Sequence, residues 1–137
     1  MKIVKIAKVS KESAAGPLFT GTNVNRQPLG LDSKEFNVSV VNFGKGIRNK
    51  FHTHDCEQLL IVTAGRGIVA TEREKKVVIP GDVVLFSAGE KHWHGATEDS
   101  EFSHIYVMKA GSKLTQLEDQ HLGDQVSIIL PQTQVQF

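Results

Sequence analysis

The sequence predicts an all-β protein in which short antiparallel strands form a sandwich or a small barrel. From residue 36 onward, runs of β-branched and aromatic residues recur at close spacing, and turn signals containing Gly, Pro, Asp or Lys separate them. No long helical pattern lies between these runs. Because a βαβ unit needs a crossover of a dozen or more residues between its strands, the spacing favours an antiparallel architecture.

Seven strands are predicted in the central part of the chain. They cover residues 36–43, 58–64, 67–72, 76–79, 83–86, 92–97 and 101–109. Residues 10–35 are rich in Gly, Pro and Asn and are interpreted as an irregular arm with room for a short strand. In the tail, residues 115–118 have the form of a capping box and predict a short helix that ends at Gly123, before a last strand at 126–130.

Composition and charge exclude several classes of protein. A chain of 137 residues, 39% hydrophobic and 23% charged, can bury a core as one domain and is too apolar for a disordered segment. Its 16 basic and 15 acidic residues leave a net charge of +1, so we expect neither nucleic acid nor a membrane as a partner. No apolar run approaches the length of a signal peptide or a membrane span. The single cysteine, Cys56, excludes an internal disulfide, and we expect a cytoplasmic location.

The chemistry of the chain is concentrated in its histidines, five of which lie between residues 52 and 104. His52 and His54 are two residues apart, a spacing that places both imidazoles on the same face of a strand. The same parity, continued, brings Cys56 and Gln58 to that face and turns Glu57 away, so Glu57 can replace Gln58 as a ligand only through a β-bulge.

A second pair, His92 and His94, again shares one parity, and His104 lies on the next predicted strand. A first-row transition metal can be bound by two imidazoles at this spacing, together with a third imidazole from a neighbouring strand and an oxygen donor four residues after His54. Two alternatives stay open. The histidines can form an accidental surface cluster, and Gln58 can be an inward amide that hydrogen-bonds within a barrel that holds no metal.

Two motifs surround these histidines. The first contains Gly46, His52-Thr53-His54, Gln58 and Gly65, and the second contains Gly81, Gly89 and His92. At this separation they resemble the two motifs of the cupin superfamily, over about residues 36 to 109. The resemblance implies a single-domain jelly-roll β-barrel, or double-stranded β-helix, at 36–137, with a metal inside the barrel mouth and residues 1–35 as an N-terminal arm packed on the barrel or on a partner. The chain departs from the motifs where Gln58 replaces Glu, Ser87 replaces Pro and Ala96 replaces Asn.

Longer stretches are similar to the bacterial manganese-dependent cupin hydroxynitrile lyases, namely residues 19–22, 52–54, 58–65, 80–84, 89–96 and 103–104. In that group the ligands are three His and one Gln. This likeness implies that His52, His54, Gln58 and His92 bind one divalent ion per chain, manganese first and iron, nickel or zinc next. It also implies catalytic roles for His94 and His104 beside the substrate. Cupins described only as carboxymuconolactone-decarboxylase-like are similar too, so the substrate stays open.

The ligand set favours one kind of chemistry over another. A neutral Gln in place of Glu leaves the +2 charge of the ion uncompensated, which makes it a stronger Lewis acid and disfavours the higher oxidation state that an oxygenase uses. Three classes remain: a lyase-like enzyme acting on a small hydroxylated or carbonyl substrate, a cupin dioxygenase, and a non-catalytic barrel that binds a small ligand. For His94 and His104, the alternative to proton transfer is hydrogen bonding that only orients the ligands.

The remaining candidates have ordinary structural interpretations. Trp93 has the opposite parity to its neighbours and is expected to pack on the outer face. Ser39, Val41 and Met108 are candidate pocket-wall residues, with core packing as the alternative. Cys56 is expected to be a small buried hydrophobe, and His121 a surface residue.

We also expect a homo-oligomer, most simply a homodimer. Small barrels leave sheet edges and an apolar face, and residues 1–35 can cover the edge of a partner.

Overall fold

The computed structural model describes residues 1–118 and 133–136. Within these residues the chain forms twelve strands and one short 3-10 helix, Ile6–Lys8. The strands in chain order are β1 (Glu12–Ser13), β2 (Val24–Pro28), β3 (Phe36–Phe43), β4 (His52–His54), β5 (Gln58–Gly65), β6 (Gly67–Thr71), β7 (Lys75–Val78), β8 (Val83–Phe86), β9 (His92–Ala96), β10 (Phe102–Lys109), β11 (Lys113–Gln116) and β12 (Thr133–Gln136). In the described part of the chain, no helix is long and apolar enough to cross a membrane.

The strands form two six-stranded sheets in which each pairing is antiparallel. The first sheet has the order β1-β2-β3-β10-β5-β8, and the second has the order β12-β11-β4-β9-β6-β7. Strands far apart in sequence are neighbours in both sheets, as in the pairing of β3 with β10. Two antiparallel sheets that exchange strands in this way form a jelly roll, which is the predicted fold class.

The central strands lie close to their predicted positions. The bounds of β3 and β8 agree with the prediction, and those of β5, β6, β7, β9 and β10 differ by one residue at one or both ends. Between residues 10 and 35, which were interpreted as an irregular arm with room for a short strand, the chain forms both β1 and β2. These strands pair with each other and extend the first sheet beside β3. The side-chain amide of Gln27 on β2 donates to the carbonyl groups of Ile6 and Val9, and so holds the 3-10 helix against this sheet.

The predicted helix at residues 115–118 is wrong. Lys113–Gln116 forms β11, which pairs with β4 through Leu114 opposite His54 and Gln116 opposite His52. Leu114 and Gln116 are buried while the residues between and before them are more exposed, a period of two that suits a strand. A local capping pattern was overridden here by strand pairing and by burial of Leu114 in the core. The predicted end at Gly123, the strand at 126–130 and His121 lie outside the described residues.

The interior between the sheets contains both the apolar core and the histidines. Alternation along β10 turns Phe102, His104, Tyr106 and Met108 inward. These side chains pack with buried residues of the other strands, among them Phe43. The histidines therefore lie inside the barrel, where their side chains are shielded from solvent.

Candidate metal centre

Strand β4 carries the His-x-His pair and lies between two supporting strands of the second sheet. His52 and His54 are both buried while Thr53 between them is only half-buried, as expected for a strand with one inward face. On one side β4 pairs with β11, and on the other His52 lies opposite His92 of β9. Strand pairing therefore brings the two His-x-His stretches of the sequence side by side.

His52, His54 and His92 form a compact cluster. One donor nitrogen of each lies within 4.8 Å of those of the other two. The ring centroids are 4.4 Å apart for His52 and His92, 4.9 Å for His52 and His54, and 5.5 Å for His54 and His92. The cluster can bind a metal ion.

Two of these imidazoles are oriented by backbone carbonyl groups. Nδ1 of His52 lies 2.6 Å from the carbonyl oxygen of Lys50, and Nδ1 of His92 lies 2.7 Å from that of Glu90. A carbonyl oxygen only accepts, so each Nδ1 carries the proton and each Nε2 presents its lone pair to the interior. Nε2 of His52 is buried and has no hydrogen-bond partner among the described residues. A histidine held in this way is prepared to bind a metal through Nε2.

Gln58 reaches the cluster from the other sheet. It is the first residue of β5, and its Oε1 lies 3.1 Å from Nε2 of His92. Gln58 is buried, whereas Glu57 is exposed. Gln58, which the sequence favoured over Glu57, does face the cluster, but the predicted reason is wrong, because His54 and Gln58 do not share a strand. The chain leaves the second sheet after His54, turns through residues 55–57 and enters the first sheet at Gln58.

These four side chains fit a divalent transition-metal ion. Three imidazoles and an amide oxygen are donors that such ions accept, whereas magnesium and calcium prefer carboxylate, carbonyl and water oxygens. The lone pair on Nε2 of His52, which lacks a partner, is the donor that a bound cation would satisfy.

Burial keeps these imidazoles unprotonated. It lowers the pKa of His92 to about 4, against the opposing effect of its bond to the Glu90 carbonyl. Burial and the neighbouring His92 lower the pKa of His54 to about 4, and they lower that of His52 well below its ordinary value. A metal binds only the unprotonated imidazole, so the three rings are in the required state at neutral pH.

His94 and His104 form a second buried pair beside this cluster. His94 follows His92 along β9, and its ring centroid lies 4.8 Å from that of His104, with the two rings nearly perpendicular. Phe43 packs against both rings. Burial is the main reason that the pKa of His104 falls to about 4 and that of His94 well below its ordinary value. Two neutral imidazoles thus lie close enough to act on one small molecule.

The structure also describes the positions of the remaining candidate residues. Trp93 faces outward, with the guanidinium carbon of Arg48 4.5 Å and Nζ of Lys75 5.5 Å from its ring centroid, as its parity predicted. Cys56 is half-buried against the core. The three pocket-wall candidates are buried, and on β3 Ser39 lies opposite Tyr106 and Val41 opposite His104, while Met108 packs in the core.

Asn49 is a neighbour of the site that the sequence analysis missed. It is buried, and it contacts both the backbone and the ring of His94. It precedes β4 in an irregular segment, so no periodicity marks it. The one feature of the sequence that could have pointed to Asn49 is Gly95, because the absence of a side chain there permits the close approach of this segment to β9.

A two-sheet β-barrel with a histidine cluster on its inner wall defines a class of barrels whose interior can hold a metal ion. The profile of the cupin domain family matches residues 39–108 of this chain. The chain is also 42% identical over 105 residues to an (R)-mandelonitrile lyase of Granulicella tundricola, a match that spans 73% of this chain and 79% of that protein. The chain therefore belongs to the cupin family.

Solved structures show the same fold. A cupin-like protein of Thermotoga maritima matches with a TM-score of 0.65 and 33% identity, over 79% of this chain and 80% of that one. The polyketide cyclase RemF of Streptomyces resistomycificus matches with a TM-score of 0.73 and 17% identity, over 82% of this chain and 81% of its own. At that identity RemF is similar in fold alone.

Proposed function

We propose that this cupin is a metal-dependent lyase that cleaves small hydroxynitriles into a carbonyl compound and hydrogen cyanide. The observation that carries the proposal is the 42% identity to an (R)-mandelonitrile lyase over 73% of the chain. The pair of buried neutral histidines next to a three-histidine cluster supports it, because such a cleavage requires both removal and delivery of a proton.

His52, His54, Gln58 and His92 are the proposed ligands of one divalent ion, with manganese first and iron, nickel or zinc as alternatives. When bound, the ion supplies a Lewis acid that stabilises negative charge on an oxygen atom. The ligand set contributes no negative charge of its own, because all four side chains are neutral. The Lewis acidity is thereby kept, and the dioxygenase alternative, which needs a higher oxidation state, is less favoured.

His94 and His104 are the proposed catalytic residues. One neutral imidazole accepts the proton of the substrate hydroxyl as the carbon–cyanide bond breaks and the oxygen–carbon bond becomes a carbonyl. The bonding pair leaves with cyanide, which takes up a proton from an imidazole N–H, so atoms and charge balance. Their burial beside Phe43 and Phe102 excludes water, which strengthens both hydrogen bonds.

Metal analysis of the purified chain, followed by an activity screen, tests the proposal. We expect about one divalent ion per chain and cleavage of aromatic or aliphatic hydroxynitriles, measured by release of the aldehyde, with loss of activity after chelation. Metal-loaded protein that is inert toward hydroxynitriles but consumes oxygen with a diketone or a thiol would establish the dioxygenase alternative instead. A metal-loaded protein inert in both assays would favour the ligand-binding alternative.

We further propose that the chain assembles as a homodimer through the outer face of the first sheet. Two rows of aliphatic side chains cross this face, Val38–Val107–Leu59–Leu85 and Val40–Ile105–Ile61–Val83. Outer positions of a solvated sheet are usually polar, yet Val83 and Leu85 are 61% and 56% exposed. No charged residue belongs to either row, so the face can pack on a second copy of itself without opposing like charges.

Two further points stay predictions. The N-terminal arm, residues 1–35, is proposed to pack on the barrel or a partner, and Gln27 supports the first possibility by holding the 3-10 helix. A cytoplasmic location is proposed from the cysteine content alone.

A further inference from the structure

Ser112 lies where the chain passes from the first sheet to the second. Strand β10 ends at Lys109, and a turn through Ala110 and Gly111 leads to β11, which begins at Lys113. The backbone N–H of Ser112 closes the turn by donating to the carbonyl oxygen of Lys109 at 3.3 Å, and Gly111 adopts a φ of 78°. The position of Ser112 is therefore set by the backbone and not by a bond of its own side chain.

The side chain of Ser112 shares the inner face of the barrel with Leu114 and Gln116. Burial alternates along this stretch, because these three residues are buried while Lys113 is exposed. The pairing of β11 with β4 also extends beyond the end of β4, since the backbone N–H of Asp55 donates to the carbonyl oxygen of Lys113 at 3.2 Å. The alternation of a strand therefore reaches Ser112 and turns its side chain into the barrel.

The register between β11 and β4 places Ser112 next to the histidine cluster. Leu114 lies opposite His54, so Ser112 lies one inward position beyond His54, roughly 7 Å further along the strand. His94 lies on the other side of the cluster, because it follows His92 along β9, and β9 runs antiparallel to β4. The cluster is therefore flanked by His94 toward one end of the barrel and by Ser112 toward the other.

The hydroxyl group of Ser112 is buried without a hydrogen-bond partner among the described residues, and the residue as a whole is only 6% exposed. Two other serines use their hydroxyl groups within the fold. Oγ of Ser33 accepts the backbone N–H of Phe36 at 3.1 Å. Oγ of Ser103 donates to Oδ1 of Asn42 at 2.6 Å. A buried unpaired hydroxyl lowers the stability of a fold, so the hydroxyl of Ser112 is suited to gain its partner from a bound ligand.

The inner wall at the same end of the barrel carries further polar groups. Tyr106 turns inward from β10, and its hydroxyl group donates to Oδ1 of Asn37 at 3.1 Å. Asn37 lies opposite Met108, the last inward residue of β10 before the turn that leads to Ser112. This end of the barrel is therefore lined by both apolar and polar side chains, as in sites that orient a small molecule through a few polar contacts.

We propose that Ser112 is a specificity-determining residue that hydrogen-bonds a polar group on the part of the substrate remote from the reacting carbon. The inference deepens the proposed function and rests on it for the class of substrate. A hydroxynitrile whose reacting carbon lies beside His94 and His104 extends its substituent past the cluster toward Ser112. The relative is named for mandelonitrile, which carries an unsubstituted aromatic ring. The substrate class assigned to this chain is an aromatic hydroxynitrile with a hydroxyl group para to the reacting carbon.

Denaturant unfolding of chelator-treated protein tests whether the hydroxyl of Ser112 has a structural role. We expect Ser112→Ala to have a midpoint at least as high as that of the wild type, because no hydrogen bond is lost and a buried unpaired hydroxyl is removed. Ser103→Ala is the matched control and should have a lower midpoint, since it loses the bond to Asn42. A midpoint of Ser112→Ala below that of the wild type shows a partner within the fold and overturns the inference.

Calorimetric titration of the purified full-length chain with two aldehydes tests the contact without any assay of turnover. The probes are benzaldehyde and 4-hydroxybenzaldehyde, which differ only in the para-hydroxyl group. We expect the wild type to bind 4-hydroxybenzaldehyde about 3- to 10-fold more tightly, the usual contribution of one hydrogen bond, and Ser112→Ala to lose this preference. Absence of a preference in the wild type, or a preference that Ser112→Ala keeps, contradicts the assignment of Ser112.

Kinetics separate this inference from the proposed function. If the wild type cleaves hydroxynitriles, the ratio of kcat/KM for 4-hydroxymandelonitrile to that for mandelonitrile should fall about 3- to 10-fold in Ser112→Ala. Metal content and kcat/KM for mandelonitrile should stay near the wild-type values. An unchanged ratio overturns the inference and leaves the lyase activity standing. If the wild type cleaves neither compound, the proposed function fails, while the aldehyde titrations still decide whether Ser112 recognises the hydroxyl group.

Discussion

Gln58 and His92 meet inside the barrel from different sheets, with Oε1 of Gln58 3.1 Å from Nε2 of His92. Nδ1 of His92 donates to the carbonyl oxygen of Glu90, so its Nε2 carries a lone pair, as does the amide oxygen. Two acceptors at this distance repel each other unless a cation or a proton donor lies between them. This contact supports a metal site in which Gln58, not the exposed Glu57, supplies the oxygen.

Substitutions in the proposed ligand set should lower metal content in a graded way. His52→Ala or His92→Ala should strip the ion, because each removes a buried imidazole from a set of four donors. Gln58→Ala should weaken binding by about 10- to 100-fold. Elemental analysis after gel filtration measures the effect, and Glu57→Ala is the matched control. An empty site in Glu57→Ala together with a full site in Gln58→Ala would mean that the wrong residue was assigned.

His94→Ala and His104→Ala should keep the metal and lose turnover. Neither residue belongs to the three-histidine cluster, so metal content should stay near that of the wild type. If each is an acid or base, hydroxynitrile cleavage should fall by about 10²–10⁴-fold. Initial rates at matched metal occupancy give the measurement, with Glu57→Ala as the variant of normal activity. Unimpaired cleavage by both variants would remove them from the mechanism.

The metal-free protein should lose stability between about pH 6.5 and pH 4. The pKa values of His54, His92 and His104 are lowered from 6.5 to about 4, so the unfolded chain binds more protons than the folded chain in that interval. Stability is then fully present above pH 6.5 and falls as the pH falls. A pKa lowered from 6.5 to about 4 on folding corresponds to about 3 kcal/mol for each group. That is a large share of the free energy of unfolding of a domain, which is about 5–15 kcal/mol.

Denaturant midpoints of chelator-treated protein at several values between pH 8 and pH 4.5 measure this dependence. The metal-loaded protein should have a higher midpoint at pH 8 and a steeper decline, since protons then compete with the metal for the same nitrogens. A midpoint that stays constant from pH 8 to pH 4.5 would show that the histidines are not buried in their neutral form.

Leu85→Glu should dissociate the proposed homodimer. The substitution places a charge in the middle of an apolar interface, while in the separate chain Leu85 is 56% exposed, so folding should be unaffected. Sedimentation should show about twice the chain mass of 15.1 kDa for the wild type and one chain mass for the variant. Val77→Glu is the matched control, since Val77 is 54% exposed on the second sheet. A wild-type mass near that of one chain at micromolar concentration would contradict the dimer.

The order of strands along the chain and the inward direction of most site histidines were determined by sequence patterns. Alternation with a period of two is a local property of the backbone, so His52 and His54 had to share a face once they lay on a strand. Glycine and proline marked the limits of the predicted strands, and for β3 and β8 these limits agree with the bounds in the structure. Trp93 was placed on the outer face by the same rule.

Only the tertiary structure decided which strands meet. Residues 115–118 have a local helical signal, yet β11 forms because its partner β4 and a place for Leu114 in the core are available only in the folded barrel. Gln58 reaches His92 because the chain crosses between sheets at residues 55–57, which parity along a single strand cannot describe. Asn49 binds His94 across a gap of 45 residues in sequence. Contacts of that kind depend on the packing of distant segments, and a local pattern carries no information about them.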